Sequence, residues 1–159
     1  MSRRPGAAPG RIPSVAVDVT ADATRVPIAR ARVIELVRGV LRAERISSAL
    51  VSVTFVTPRA IAALNRRHLG HRGSTDVISF GMRDAGGPVV GDIYIAPAVA
   101  RDNARRHGVG VREEVARLVV HGTLHVAGWE HPEDETRTSS PMWRRQEMLL
   151  RRLLAGGAR

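Results

Sequence analysis

The sequence contains no cysteine and, among its 25 basic residues, no lysine. The absence of cysteine excludes disulfide bonds and thiolate metal ligands, and it is typical of proteins from a reducing compartment. The absence of lysine from so basic a chain indicates a bias in genome composition, so the choice of arginine over lysine has no functional meaning. Aromatic residues make up only 3% of the chain, and its core must therefore be aliphatic.

Long apolar runs are also absent. No segment approaches the length of a membrane span, and the Arg-, Pro- and Gly-rich start lacks the apolar stretch of a secretory signal. We therefore expect a cytoplasmic protein with no membrane partner. At 159 residues the chain is long enough for one domain with a substantial core. Residues 1–12 are predicted to be a disordered basic tail, and residues 13–155 a single domain.

Basic residues greatly outnumber acidic ones, giving a formal net charge of +10. A domain with this charge attracts polyanions, of which nucleic acid is the commonest in a cytoplasm. The alternative is a solvated cationic surface with no specific partner. The charge thus indicates a class of partner and says nothing about a reaction.

The pattern of apolar residues predicts one α+β domain, in which a four-stranded mixed sheet packs with about five helices. The predicted strands are residues 15–19, 50–56, 75–80 and 89–95, with the last two forming a hairpin. The predicted helices are 27–41, 58–67, 97–107, one beginning at 111 or 112, and 141–154. Residues 132–139 are predicted to be a loop.

The most informative segment is His121-Gly-Thr-Leu-His125-Val-Ala-Gly128-Trp-Glu-His131. On a helix, residues four apart project side by side, so His121 and His125 are predicted to be close enough to share one ion. Gly128 suits the left-handed conformation that ends a helix, and the reversal would bring His131 over the pair. Three imidazoles leave a fourth coordination position open, as a hydrolytic zinc site requires. The alternatives are an exposed polar face or core histidines satisfied by hydrogen bonds.

The same spacing occurs in the metzincin protease signature, but Gly122 stands where that signature has its glutamate. Without a general base at this position, proton transfer loses a contribution of order 10² to 10⁴ in rate. A zinc peptidase is therefore a less favoured alternative. Met142, downstream, is better interpreted as a core residue than as an equivalent of the metzincin methionine.

Three motifs follow one another along the chain. They are Leu64-Asn65 with Thr75-Asp76-Val77-Ile78-Ser79-Phe80, then Gly91-Asp92-Ile93-Tyr94-Ile95, then the histidine segment. Together they resemble the YbeY family of bacterial endoribonucleases and rRNA maturation factors. The resemblance implies a zinc-dependent, single-strand-specific endoribonuclease that acts in 16S rRNA 3′-end maturation and late ribosome quality control. It implies one Zn²⁺ per chain, bound by His121, His125 and His131. The implied partners are single-stranded RNA, rRNA, the small ribosomal subunit and ribosome-associated proteins.

One departure from the family pattern concerns the catalytic residues. Members typically carry an arginine thought to matter for activity where this chain has Leu69, and leucine cannot stabilise charge on a phosphate. Arg66, Arg67 or Arg72 is a candidate replacement, or else an ordinary solvated charge, so no catalytic residue is assigned. Glu130, beside the third histidine, would either orient a ligand or face water.

Two questions of function stay open at this point. A non-catalytic ribosome-assembly factor, stabilised by zinc, is an alternative to the nuclease because the arginine is missing. For a nuclease, cleavage by water and attack by the RNA's own 2′-hydroxyl are both compatible with the residues.

Overall fold

The computed structural model describes residues 14–157. The tail predicted for residues 1–12, and the first residue of the predicted domain, lie outside this range. The chain forms the helices and strands β1 (Val15–Ala21), α1 (Arg30–Ala43), β2 (Ala49–Phe55), α2 (Pro58–Leu64), β3 (Val77–Arg83), β4 (Val89–Ile95), α3 (Pro97–His107), α4 (Val111–Val126) and α5 (Pro141–Gly156).

The four strands form one mixed sheet in the order β1-β2-β4-β3. β1 pairs in parallel with β2 and β2 with β4, whereas β3 is antiparallel to β4. Alternate residues of β2 are buried (Ala49, Val51, Val53 and Phe55), because successive side chains of a strand point to opposite faces. The predicted α+β fold, the mixed four-stranded sheet, the hairpin and the five helices are all confirmed.

Helix α4 occupies the centre of the molecule. It packs against β3 and β4 on one side and against α1, α3 and α5 on the others. Nearly every residue of its second half is buried, including both histidines' neighbours Val120 and Leu124. A helix that is apolar on all sides is stable only inside a core. The predicted metal-binding segment is therefore carried by the most enclosed helix of the fold.

The end of α4 lies unusually close to the sheet because two paired glycines face it. Gly81 of β3 and Gly91 of β4 are register partners beneath Val126. A Cβ atom on Gly91 would lie 2.4 Å from Val126 Cγ1, and one on Gly81 would lie 3.1 Å from Val126 Cα. Without side chains here, the helix end can touch the strands, so the histidines come next to β3.

Some predicted boundaries were wrong. α1 begins at Arg30 rather than at Pro27, and β3 begins at Val77 rather than at residue 75. Residues 132–139 are not all loop, because Glu135–Ser139 form a 3₁₀ turn. Asp134 stabilises this turn by accepting a 2.9 Å hydrogen bond from the Thr136 backbone N–H. A short polar turn of this kind has no apolar periodicity for sequence analysis to detect.

The second helix is the remaining correction. Its α-helical part ends at Leu64, and the chain continues as a π-helical turn over Asn65–Leu69 before Gly70 stops it at φ 68°. The buried Asn65 side chain donates a 3.1 Å hydrogen bond to the Gly73 carbonyl, which holds the following loop against the turn. None of the helices within residues 14–157 is long and apolar enough to cross a membrane.

Candidate metal centre

Helix α4 places two of the three histidines. The ring centroids of His121 and His125 lie 4.7 Å apart on one face of the helix, as the four-residue spacing predicts. The helix ends directly after Val126, and Gly128 adopts φ 105°, the left-handed region that favours glycine. The Trp129 N–H then donates to the Leu124 carbonyl at 3.0 Å, which fixes the reversal of the chain.

That reversal brings the third histidine to the other two. The His131 ring centroid lies 5.0 Å from that of His121 and 4.8 Å from that of His125. One ring nitrogen from each of the three residues lies within 4.8 Å of the others. The structure thus assembles all three residues that the sequence predicted as ligands, and the cluster could hold a metal ion.

Each imidazole is oriented by an oxygen at its Nδ1 atom. The acceptors are the Gln146 side-chain oxygen for His121 at 2.7 Å, the Trp129 carbonyl for His125 at 2.8 Å and the Pro132 carbonyl for His131 at 2.8 Å. Since these oxygens only accept, Nδ1 donates in all three rings and carries the proton. In the neutral form, each Nε2 therefore keeps a free lone pair.

Those lone pairs converge. The Nε2 atoms of His121 and His131 are 3.4 Å apart, and neither has a proton to donate to the other. Two ligands of a tetrahedral zinc ion, at about 2.0–2.1 Å each, would be separated by roughly 3.3–3.4 Å. The donor atoms, their tautomers and this spacing all fit a divalent metal ion.

Burial keeps the two histidines of α4 neutral. It lowers the pKa of His121 to about 3, and the hydrogen bond from His121 to Gln146 only partly offsets this effect. Burial also lowers the pKa of His125, while the charges on His131 and Arg137 act in the same direction. At neutral pH these two rings are therefore unprotonated, which is the form that binds a metal.

Gln146 was not found by sequence analysis, although the sequence held a signal. It is 1% exposed and lies on the buried stripe of α5 formed with Met142, Leu149 and Leu150. A glutamine at a core position of an amphipathic helix needs a buried hydrogen-bond partner. The sequence could have flagged Gln146 for this reason, but it could not have identified His121 as the partner 25 residues away.

Glu44 and Trp129 support the cluster from further out. The Trp129 carbonyl accepts a hydrogen bond from His125 Nδ1, while the Trp129 indole Nε1 donates to Glu44 at 3.0 Å. Arg145 of α5 donates to the other oxygen of Glu44 at 2.8 Å. The C-terminal end of α1, the loop after α4 and α5 are thereby tied together around the histidines.

The cluster opens into a cavity of about 780 Å³. Its lining includes the three histidines together with Asn65, Leu69, Arg72, Asp76, Arg83 and Arg137. Of the three arginines suggested as replacements at the Leu69 position, only Arg72 lines this cavity, whereas Arg66 and Arg67 are exposed on the π-helical turn. Arg137 was not identified from the sequence at all.

Glu130 and Gly122 differ in their access to the cavity, since only Glu130 lines it. Glu130 is exposed and lines the cavity, but among the described residues it forms no hydrogen bond with a histidine, so it does not orient a ring in that way. Gly122 packs against the sheet, and a Cβ atom there would lie 2.7 Å from Ile93 Cγ2. The position has no room for a glutamate and does not face the cavity, so the fold does not favour a peptidase.

Comparison with known proteins agrees with the motifs. The sequence profile of the family described as "Endoribonuclease YbeY" matches residues 18–154, and this chain belongs to that family. Proteins of that name from Bacillus licheniformis and Pelotomaculum thermopropionicum are 34% and 38% identical to it. The first alignment covers 87% of this chain and 95% of the relative, and the second covers 72% and 79%.

The fold has a solved counterpart as well. The solution structure of TM1509 from Thermotoga maritima superposes with a TM-score of 0.59, covering 89% of this chain and 91% of that protein. At 23% identity, this likeness concerns the fold alone.

Proposed function

We propose that this protein is a zinc-dependent endoribonuclease that cleaves single-stranded RNA, with His121, His125 and His131 as the ligands of one Zn²⁺ ion. The observation that carries the proposal is the convergence of one ring nitrogen from each of three histidines in the wall of a cavity, in a chain that belongs to the YbeY family. The relatives from Bacillus licheniformis and Pelotomaculum thermopropionicum are both called endoribonucleases.

The finer assignment rests on the sequence motifs and the charge. We propose that the substrate is the 3′ end of 16S rRNA on the small ribosomal subunit, with a role in late ribosome quality control, and hence a cytoplasmic location. A net charge of +10 favours binding to so large a polyanion. The same proposal treats residues 13–155 as one catalytic domain and residues 1–12 as a basic tail.

The metal ligands, their hydrogen-bond partners and the arginines of the cavity have different roles in the proposed reaction. Zinc, when bound, supplies Lewis acidity that stabilises charge on a phosphate oxygen and lowers the pKa of water. The three imidazoles contribute no charge, so the ion's positive charge stays available to the substrate. Gln146 and the Trp129 and Pro132 carbonyls hold the rings in the correct tautomer. Arginines in the cavity wall add positive charge where a phosphate would lie.

The decisive test is His125→Ala with His107→Ala as its matched control, since His107 ends α3 and does not line the cavity. We expect His125→Ala to lose zinc, measured by mass spectrometry, and to lose cleavage of a single-stranded oligonucleotide, while its RNA affinity stays near that of the wild type. His107→Ala should keep all three properties.

Other outcomes separate the alternatives. Loss of RNA binding and cleavage together in His125→Ala would indicate a structural zinc ion. A zinc-loaded wild type that binds RNA without cleaving it would indicate a ribosome-assembly factor instead. A metal-free wild type with full activity would contradict the proposal. Mass spectrometry of the products also distinguishes the two chemistries of cleavage, because attack by the 2′-hydroxyl leaves a cyclic phosphate whereas hydrolysis by water need not.

A further inference from the structure

Arg137 has a buried nitrogen with nothing to bind. Among residues 14–157, its Nε is the one buried side-chain nitrogen or oxygen without a hydrogen-bond partner. None of the ion pairs formed within that part of the chain includes Arg137. Leaving a charged donor buried and unpaired is costly, and in native structures such a group usually has a reason.

Two other partly buried arginines, Arg117 and Arg145, have acceptors for their guanidinium groups. Arg117 is surrounded by Glu113, Glu114 and Glu147, each within 3.1 Å. Arg145 bonds Glu44 and the Ala43 carbonyl. The fold supplies acceptors for both of these guanidinium groups, whereas the buried Nε of Arg137 has none among the described residues.

The backbone around Arg137 is held firmly. Its N–H donates to the Asp134 carbonyl at 3.1 Å, and its own carbonyl accepts from the Ser140 hydroxyl at 2.7 Å. The same hydroxyl oxygen caps α5 by accepting from the Trp143 N–H at 3.2 Å. The 3₁₀ turn is thus fixed to the helix that carries Gln146, and the unpaired guanidinium has a defined place beside the metal centre.

The place is the wall of the histidine-lined cavity. Arg137 lines it together with His121, His125 and His131. Its charge is close enough to contribute to the lowered pKa of both His121 and His125. An anion bound in this cavity would therefore meet the guanidinium and the metal centre at the same time.

We propose that Arg137 is a substrate-binding residue whose guanidinium binds a phosphodiester group of single-stranded RNA and positions it at the three histidines. The guanidinium is a planar fork of donors that matches the oxygens of a phosphate, and it keeps its charge at all physiological pH values. The hydrogen bond that Nε lacks in the free protein is made to the bound phosphate. This inference rests on the proposed ribonuclease function of the same cavity.

The experiment compares Arg137→Met with Arg38→Met. Methionine keeps the apolar stem and removes the charge, and Arg38 is exposed on α1 outside the cavity. The probe is a single-stranded 2′-O-methyl oligonucleotide, checked to be intact afterwards, titrated between about 50 and 200 mM salt. We expect Arg137→Met to weaken binding about tenfold or more, and to flatten the log–log salt slope by ~0.7, one phosphate contact. Arg38→Met should change affinity much less.

Thermal unfolding separates a binding role from a structural one. Because Arg137 Nε makes no hydrogen bond in the free protein, Arg137→Met should melt at the wild-type temperature or above it. Arg137→Lys, which keeps the charge without the fork, should restore the salt slope but only part of the affinity. Affinity lost together with stability, or a Lys variant no better than Met, would overturn the proposal.

Cleavage by the wild type is measured in parallel, so that the phosphate-binding role of Arg137 and the proposed ribonuclease function are tested independently. If the wild type cleaves RNA and Arg137→Met binds the probe as tightly as Arg38→Met does, this inference is wrong and the proposed function stands. If the wild type does not cleave but Arg137→Met still binds weakly, the phosphate site stands and the proposed function fails.

Discussion

At the scale of single residues, the metal centre depends on which nitrogen of each ring carries the proton. Gln146 settles this for His121, because its oxygen accepts from Nδ1 and leaves Nε2 free. The Gln146 side-chain nitrogen faces Glu147 Oε2 at 3.5 Å, which is consistent with the oxygen facing the ring. One neutral amide in an otherwise apolar stripe of α5 thus fixes the orientation of the most buried ligand.

A change at this residue should weaken metal binding. Gln146→Leu keeps the volume but removes the acceptor, so His121 can adopt the other tautomer and rotate. Loss of such a supporting partner typically costs 10- to 100-fold in metal affinity, and we expect that range for zinc in a competition titration with a chelator. Gln146→Glu, which keeps an oxygen at the same place, should stay far closer to the wild type. Equal affinities for the Leu variant and the wild type would show that Gln146 does not orient the ligand.

At the scale of secondary-structure elements, the position of α4 against the sheet decides where the histidines lie. The glycine pair in β3 and β4 lets Val126 approach the strands, and the Ile93 side chain fills the space beside Gly122. Packing at such short distances leaves no free volume for a methyl group. The end of α4, and with it His125, can therefore pack directly on the strands because the facing residues have no side chains.

A methyl group on the sheet should be destabilising for this reason. In Gly91→Ala the new Cβ would lie 2.4 and 2.5 Å from the two Val126 methyl groups, so the helix end or the strand must shift. Overpacking of this kind costs roughly 1–3 kcal/mol in the free energy of unfolding, measured with urea. Gly156→Ala is the matched control because nothing lies within 4 Å of its Cβ position. Similar stabilities for the two variants would show that the fold accommodates a methyl group at Gly91 without strain.

At the scale of the whole molecule, the buried histidines link stability to pH. The pKa of His121 is about 3 in the folded protein, below the ordinary value of 6.5 that the unfolded chain should show. The unfolded state therefore takes up a proton before the folded state does. The stabilisation is fully present above pH 6.5 and is lost as the pH falls from 6.5 towards 3. The pKa of His125 is lowered as well, so it acts in the same direction.

Acid should accordingly destabilise the metal-free protein. Between pH 7 and pH 4.5 we expect His121 to remove ~3 kcal/mol from the free energy of unfolding, measured by urea denaturation in the presence of a chelator. Carboxylates titrate in the same range, so the comparison that matters is with His121→Asn, which lacks the titrating ring. The pH dependence should be shallower in that variant, and identical curves would argue against a neutral, buried His121.

Most of the fold was predictable because its signals are local. Valine alternation at residues 15, 17 and 19 predicts β1, and Ser140-Pro141 marks the start of α5, where the Ser140 hydroxyl does cap the helix. The boundaries that were wrong depend on other contacts. The side chain of Asn65 holds the π-helical turn through Gly73, and the 3₁₀ turn before α5 is stabilised by a side-chain cap at Asp134.

The sequence by itself determined the meeting of the three histidines, because helix geometry and one left-handed glycine act over only eleven residues of chain. Only the tertiary structure decided what surrounds them. Gln146 reaches His121 from a different helix, and Glu44 holds Trp129 across 85 residues. The Nε atom of Arg137 is left without a partner because no acceptor of the described chain forms a hydrogen bond with it. Periodicity and spacing report a residue's own neighbourhood along the chain, whereas these contacts depend on how distant segments pack.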